Sequence, residues 1–150
     1  MAFTGNYVCS SFKQDLLAGR HNFTISTGNV FKMSLHTSGA TFDASLTAYS
    51  TSNEVSSSGT AYTTAGNVIA QASGIPGLSS GTAYVDFDDE VWSAASFTAR
   101  GAIIYNDTLT TPVADASVVV LDFLADKTAT AGDFTVIFPT APGSAIIRIA

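Results

Sequence analysis

The 150-residue sequence predicts an all-β fold, an antiparallel sandwich or jelly-roll-like barrel of about eight strands with one short N-terminal helix. Three observations lead there. Apolar residues alternate with period two in several segments. Clusters of Gly, Pro, Asp and Asn separate those segments at short intervals. The crossover helices that a parallel sheet requires are missing.

The first element is helical. "SSFKQDLLAG" predicts the helix over residues 11–18, with Ser11 and Gln14 spaced as a capping box and Gly19 as the stop. Phe12, Leu16 and Leu17 fall close to one face. "NVFKMSLHT" reads as a strand, with Phe31, Met33 and Leu35 alternating against Lys32, Ser34 and His36. Residues 37–66 are rich in Ser, Thr, Gly and Ala; within this region "DASLTAY" could form one helical turn opened by Asp43, and "STSNEVSSSGTAYTTAGN" reads as an ordered surface excursion or a mobile loop. "NVIAQASG" and "TAYVDF" are strands, and "DDEVW" leads into a further one, "SFTARGAIIYND". "ASVVVLDFLAD" is the most apolar segment, and its β-branched run argues for a central strand. "DFTVIFP" and "SAIIRI" close the chain. No internal repeat is present. The expectation is one domain, 1–150, with an N-terminal arm over about residues 1–10. "MAFTGNYV" carries Phe3 and Tyr7 and no charged side chain, so it could reach a neighbouring chain or form an ordinary first strand.

Composition narrows the function. Charged residues are 12% of the chain, about half the usual share, while hydrophobic residues are 46%. Such a chain has too little charge to keep a large surface free, which points to burial against copies of itself or a partner. The net charge is −6. With no basic patch, direct nucleic-acid binding is not expected, and the acidic balance argues against anionic membranes. No apolar run reaches the length of a membrane span, and no secretory signal is evident at the N-terminus. The expectation is a soluble protein made in a reducing cytoplasm. One cysteine, Cys9, excludes an internal disulfide and reads as a small buried hydrophobe.

Candidate chemistry is sparse. "GLSSG" (77–81) matches G-x-S-x-G, but a nucleophile elbow needs a strand before it and a helix after. Here Pro76 precedes the motif and strand-like sequence comes after it. "DFDDE" places Asp86, Asp88, Asp89 and Glu90 within five residues, a dense set of oxygen ligands that makes a weak calcium candidate. The bland reading is an acidic strand end. In a strand, Asp86, Asp88 and Glu90 would share one face. His21 and His36 show no zinc-ligand spacing. Asn22 and Asn106 begin glycosylation sequons that lack a secretory context. No catalytic residue, metal or cofactor is assigned, and the chain is not read as an enzyme.

Arg100 stands out because a chain so poor in charge places it in a strand, beside Gly101. A glycine there suggests a bulge or a close approach by a neighbour. Arg100 can make a bidentate pair with a carboxylate. Asp122, inside the apolar "VVVLDFLAD", is the candidate within the chain, and a carboxylate of another subunit is the alternative. Either pair would be structural, fixing register or an interface.

"MAFTGNYVCSSFKQDLLAGRHNF", "FKMSLHTSGATFDASLTAYSTSNEV", "FTARGAIIYN" and "LDFLADKTATAGDF…FPTAPGSAIIRIA" together cover most of the chain. In these stretches the sequence resembles a family of small virion structural proteins of tailed bacteriophages. "TTAGNVIAQASGIPGLSSG" departs from the family's pattern. The resemblance implies a virion protein assembled in the host cytoplasm. Its first reading is a capsid decoration or cement protein, a homo-oligomer such as a trimer, bound to the major capsid protein. A tail, neck or baseplate component is the second reading. A surface carbohydrate-binding module, with Trp92 and the tyrosines stacking on sugar rings, is the third.

Overall fold

A computed structural model describes residues 3–150 and shows an all-β sandwich with one short helix. In chain order the elements are β1 (Tyr7–Val8), α1 (Ser10–Leu17), β2 (Phe31–His36), β3 (Asn67–Ile69), β4 (Gly77–Ser79), β5 (Thr82–Val85), β6 (Glu90–Asn106), β7 (Ala116–Val136) and β8 (Ile147–Ile149). They form two antiparallel sheets. The larger runs β1-β7-β6-β2-β3 and the smaller β4-β5-β8.

The β6–β7 hairpin dominates. Sequence patterning splits each of its strands in two, whereas the structure runs both through. The reason is bulging. Register shifts between Trp92 and Ala95, Ala95 and Phe97, Ala99 and Gly101, and Ile104 and Tyr105 absorb the breaks in alternation. Polar, small residues between Asp126 and Asp133 look like a turn by composition, yet Lys127, Thr128 and Ala129 pair with Ala99, Thr98 and Phe97.

Helix α1 starts one residue before its expected place, and the capping box is not formed. Cys9 is the N-cap and makes no side-chain cap bond. Its backbone N–H instead donates to the Val118 carbonyl at 2.9 Å, so sheet pairing extends to the residue before the helix and fixes the start. The end is as the glycine predicts. Gly19 N–H donates to Leu16 O and Arg20 N–H to Asp15 O, both at 3.0 Å, which is a Schellman closure. The turn expected at "DASLTAY" is not helical. Asp43 Oδ1 accepts from Ser45 N at 2.7 Å and Ser45 Oγ at 2.6 Å, a local bond that competes with helix formation.

Residues 37–66 form an ordered excursion pinned by one carboxylate. Glu54 accepts from the hydroxyls of Tyr49 and Tyr62, each at 2.6 Å, and from Ala65 N at 2.7 Å. Tyr62 Oη in turn accepts from Leu35 N of β2 at 3.0 Å. Burial, then the Glu54 carboxylate, pushes both phenols far above their ordinary range. The excursion covers one face of the central strands, where Tyr105 stacks on Tyr49 at 4.8 Å. The next residue, Asn106, faces the other way and donates to Asn29 Oδ1 and His21 Nδ1. Both faces of the inner hairpin are therefore covered, and residues 101–106 are all buried.

Candidate functional site

The structure brings Arg100 and Asp122 together. Arg100 Nη1 donates to Asp122 Oδ1, and both side chains are mostly buried, 15% and 5% exposed. One hydrogen bond is made where the residue types allow two. The same Oδ1 also accepts from Leu124 N at 2.7 Å, because β7 kinks immediately after Asp122. Between Ala99 and Gly101 the pairing jumps from Lys127 to Asp122, so β7 loops out its intervening residues there. The ion pair sits on that kink and holds register where the ladder fails.

Gly101 has both features its sequence context suggests. It borders a register shift, and a neighbour approaches closely. A Cβ on Gly101 would lie 2.4 Å from the Leu121 carbonyl oxygen and 2.7 Å from Phe3 Cζ. The neighbour belongs to the same chain, which corrects the expectation of an arm reaching outward. Phe3 is 4% exposed and packs edge-on against Phe42 at 5.9 Å. Tyr7 pairs with Val120 as part of β1, and its hydroxyl bonds Thr4 Oγ1. Asn6 Oδ1 accepts from Asp122 N at 2.7 Å, closing the kink from the N-terminal side. Residues 3–8 are thus an ordinary first strand and its lead-in; Met1 and Ala2 lie outside the described residues. Asn6 carried no sequence signal, since its partner is more than a hundred positions away.

The acidic cluster disperses. Asp86 is buried, accepts from Phe87 N, and burial raises its pKa. Asp89 accepts from Phe138 N at 2.8 Å, and Glu90 from Asn67 Nδ2 at 2.7 Å. Asp88 is exposed. The expected common face fails because β5 ends at Val85 and β6 begins at Glu90, leaving no continuous strand between them. The four carboxylates do not converge as calcium ligands, and no metal-holding cluster occurs among the described residues.

The remaining motifs are structural. In "GLSSG", Ser79 pairs with Thr82 across a two-residue turn, with Ser80 and Gly81 both at positive φ. The motif is a β-hairpin, with strand on either side. His21 accepts at Nδ1 from Asn106, and its Nε2 lies 3.9 Å from Asp15 Oδ2. Asp15 is in turn paired with Arg20. His36 bonds Ser34 and the Ser52 carbonyl. Burial lowers the pKa of both histidines. Cys9 is fully buried, and burial raises its thiol pKa. The Asn106 amide of the second sequon is buried and bonded. Trp92 is 2% exposed, packed among Tyr62, Phe97 and Phe134, so it cannot stack on a sugar.

What does reach the surface is apolar. Leu17 is 93% exposed at the end of α1 and lines a groove of about 680 Å³ together with Leu16, Ile147 and Ile149. On the small sheet, Leu78, Ala83 and Ile149 form one cross-strand row, with Leu78 74% exposed. This corrects the expectation that Leu17 shares a face with Phe12 and Leu16: successive helical positions diverge by ~100°, and Leu17 turns out to solvent. No helix among the described residues is long and apolar enough to cross a membrane. The chain matches no family model, no curated protein and no solved structure.

Proposed function

We propose that this chain is a structural protein of a tailed-phage particle, a capsid decoration protein that seats its α1/β8/β4 face on neighbouring major capsid subunits. The observation that carries the reading is the exposed apolar face of Leu17, Leu78 and Ile149 on a chain with so few charges. Burying such side chains at an interface is favourable by about 25 cal/mol per Å² of apolar surface removed from water. The motif residues, by contrast, are spent on internal bonds. The phage assignment itself rests on the sequence resemblance.

The mechanism is thermodynamic. A protein that binds the closed shell, and not separated subunits, shifts the equilibrium toward the closed shell by mass action. Modest contacts suffice when many copies repeat over a lattice. The test uses Leu17→Glu, at an exposed site where the fold is spared. Wild-type protein should bind empty shells and raise the temperature at which filled particles release DNA, and Leu17→Glu should do neither. Labelled density confined to the tail axis would replace this reading with a tail component.

A further inference from the structure

The apolar groove beside Leu17 follows two strand edges. Side chains point alternately to the two faces of a strand, so consecutive residues border one groove where it runs along the strand's edge. Asn6, Tyr7 and Val8 all border this groove, and so do Ile147, Arg148 and Ile149. β1 ends the larger sheet and β8 ends the smaller one, so among the described residues no strand covers either edge. The register fixes what β1 offers there. Cys9 N–H bonds the Val118 carbonyl, and Tyr7 sits opposite Val120, so Cys9 and Tyr7 spend their backbone groups on β7. Val8, between them, turns its N–H and C=O the other way.

The groove also gathers unpaired cations. The chain has six Lys and Arg residues. Arg20, Lys32 and Arg100 pair with carboxylates. Of the other three, Lys13 and Arg148 both stand in the wall of this groove, exposed at its rim. No Asp or Glu side chain shares the wall with them. A chain of net charge −6 thus sets two positive side chains beside Leu16, Leu17, Ile147 and Ile149. A purely apolar occupant would bring both cations to an interface without partners. An occupant that carries carboxylates beside apolar side chains matches the wall in both respects.

We infer that this groove takes an extended segment of a partner protein, laid along the β1 and β8 edges, in which apolar residues alternate with Asp or Glu. The segment's backbone bonds the outward N–H and C=O of Val8, in the manner of strand addition to a sheet edge. Its apolar side chains cover the leucines and isoleucines, and its carboxylates meet Lys13 and Arg148 at the rim. The volume, about 680 Å³, lies within the ~300–1,000 Å³ range of binding sites. The inference rests on the proposed shell contact only for the source of the segment, a major capsid subunit.

The experiment needs no particle. The probe is the acetylated, amidated hexapeptide Val-Glu-Val-Glu-Val-Glu at low ionic strength, where exposed charge pairs are least screened. Its addition to wild-type protein should shift the amide NMR signals of Val8, Leu17 and Ile149. The double variant Lys13→Glu with Arg148→Glu should bind it at least about fivefold more weakly, since two exposed pairs turn repulsive. The same variant should prefer Val-Lys-Val-Lys-Val-Lys, which wild type should not bind. Both substituted side chains are exposed, so the melting temperature should stay at the wild-type value. Isotope-edited infrared spectra of the bound hexapeptide should show strand. No shift at these amides, a helical bound peptide, or equal affinity for the two peptides overturns the inference. So does self-association of wild type that the double variant abolishes, which would give the groove to a second copy. If the peptide fails while Leu17→Glu still blocks shell binding, this inference falls and the shell reading stands; if the peptide binds and shells do not, the reverse holds.

Discussion

The two halves of the β6–β7 hairpin share strands and differ in almost everything else. In the inner half, Gly101 to Asn106 pair with Ala116 to Asp122, and nearly every side chain is buried on both faces. In the outer half, Glu90 to Ala99 pair with Lys127 to Val136, and β7 exposes most of its residues. The inner half is covered by the Glu54-pinned excursion on one side and by the Asn106–His21 contacts on the other. Outer-half burial is one-sided, through Trp92, Phe97 and Phe134. Strand length therefore says little about where stability resides. The inner half builds the core, and the outer half leaves most of its β7 side chains in solvent.

The sharpest way to break this contrast is to remove the same kind of mass from each half. Ile104→Ala, at a fully buried position, should cost about 2–5 kcal/mol in urea denaturation. Thr128→Ala, on the exposed outer strand, should stay within about 0.5 kcal/mol. Equal losses would mean the halves are not distinct.

Next in size is the joint between them. Gly101→Val should lose about 3 kcal/mol, at the upper end of overpacking, because one close neighbour is the Leu121 carbonyl, which is backbone and cannot rotate away. Trimming the ring in Phe3→Ala should not rescue it, since the carbonyl clash remains. A near-neutral Gly101→Val would show that the two strands separate at the joint without cost.

The ion pair on the same joint should give a smaller effect. In a double-mutant cycle of Arg100→Lys and Asp122→Asn, coupling of about 0.5–3 kcal/mol is expected for groups in contact. Additive losses would mean that the two side chains hold the joint independently.

The smallest effect is pH dependence, and it belongs to the inner half. His21 bonds Asn106, and His36 pairs with Gly101; both have pKa values lowered by burial from 6.5. The unfolded chain therefore binds more protons than the folded one as pH falls below 6.5, and stability declines through that window toward the depressed folded values. Asp86, raised from 3.8, acts with opposite sign in the window just above 3.8, where the folded state holds its proton longer. The denaturation midpoint should drop between about pH 7 and pH 5. A flat profile there would contradict the buried, uncharged state of the two histidines.

The sequence by itself determined the class of the fold and several of its particulars. Period-two alternation in "FKMSLH" and the β-branched "SVVVL" are local consequences of a pleated strand with buried faces, and both segments are strands. Gly19 ends the helix, and an arginine in an apolar context finds Asp122, the acid enclosed within the apolar run of the neighbouring strand. Each of these depends on residues close in sequence, or on a scarcity that leaves few partners to choose from. Tertiary structure alone decided the rest. Whether "GLSSG" is an elbow or a hairpin depends on the strand that folds back against it. Whether "DFDDE" gathers or scatters its carboxylates depends on where two strands end. Whether Phe3 points outward depends on the gap above Gly101. How little of β7 the two-residue strand β1 covers is also invisible to patterning, because an edge is defined by what lies beside it in space.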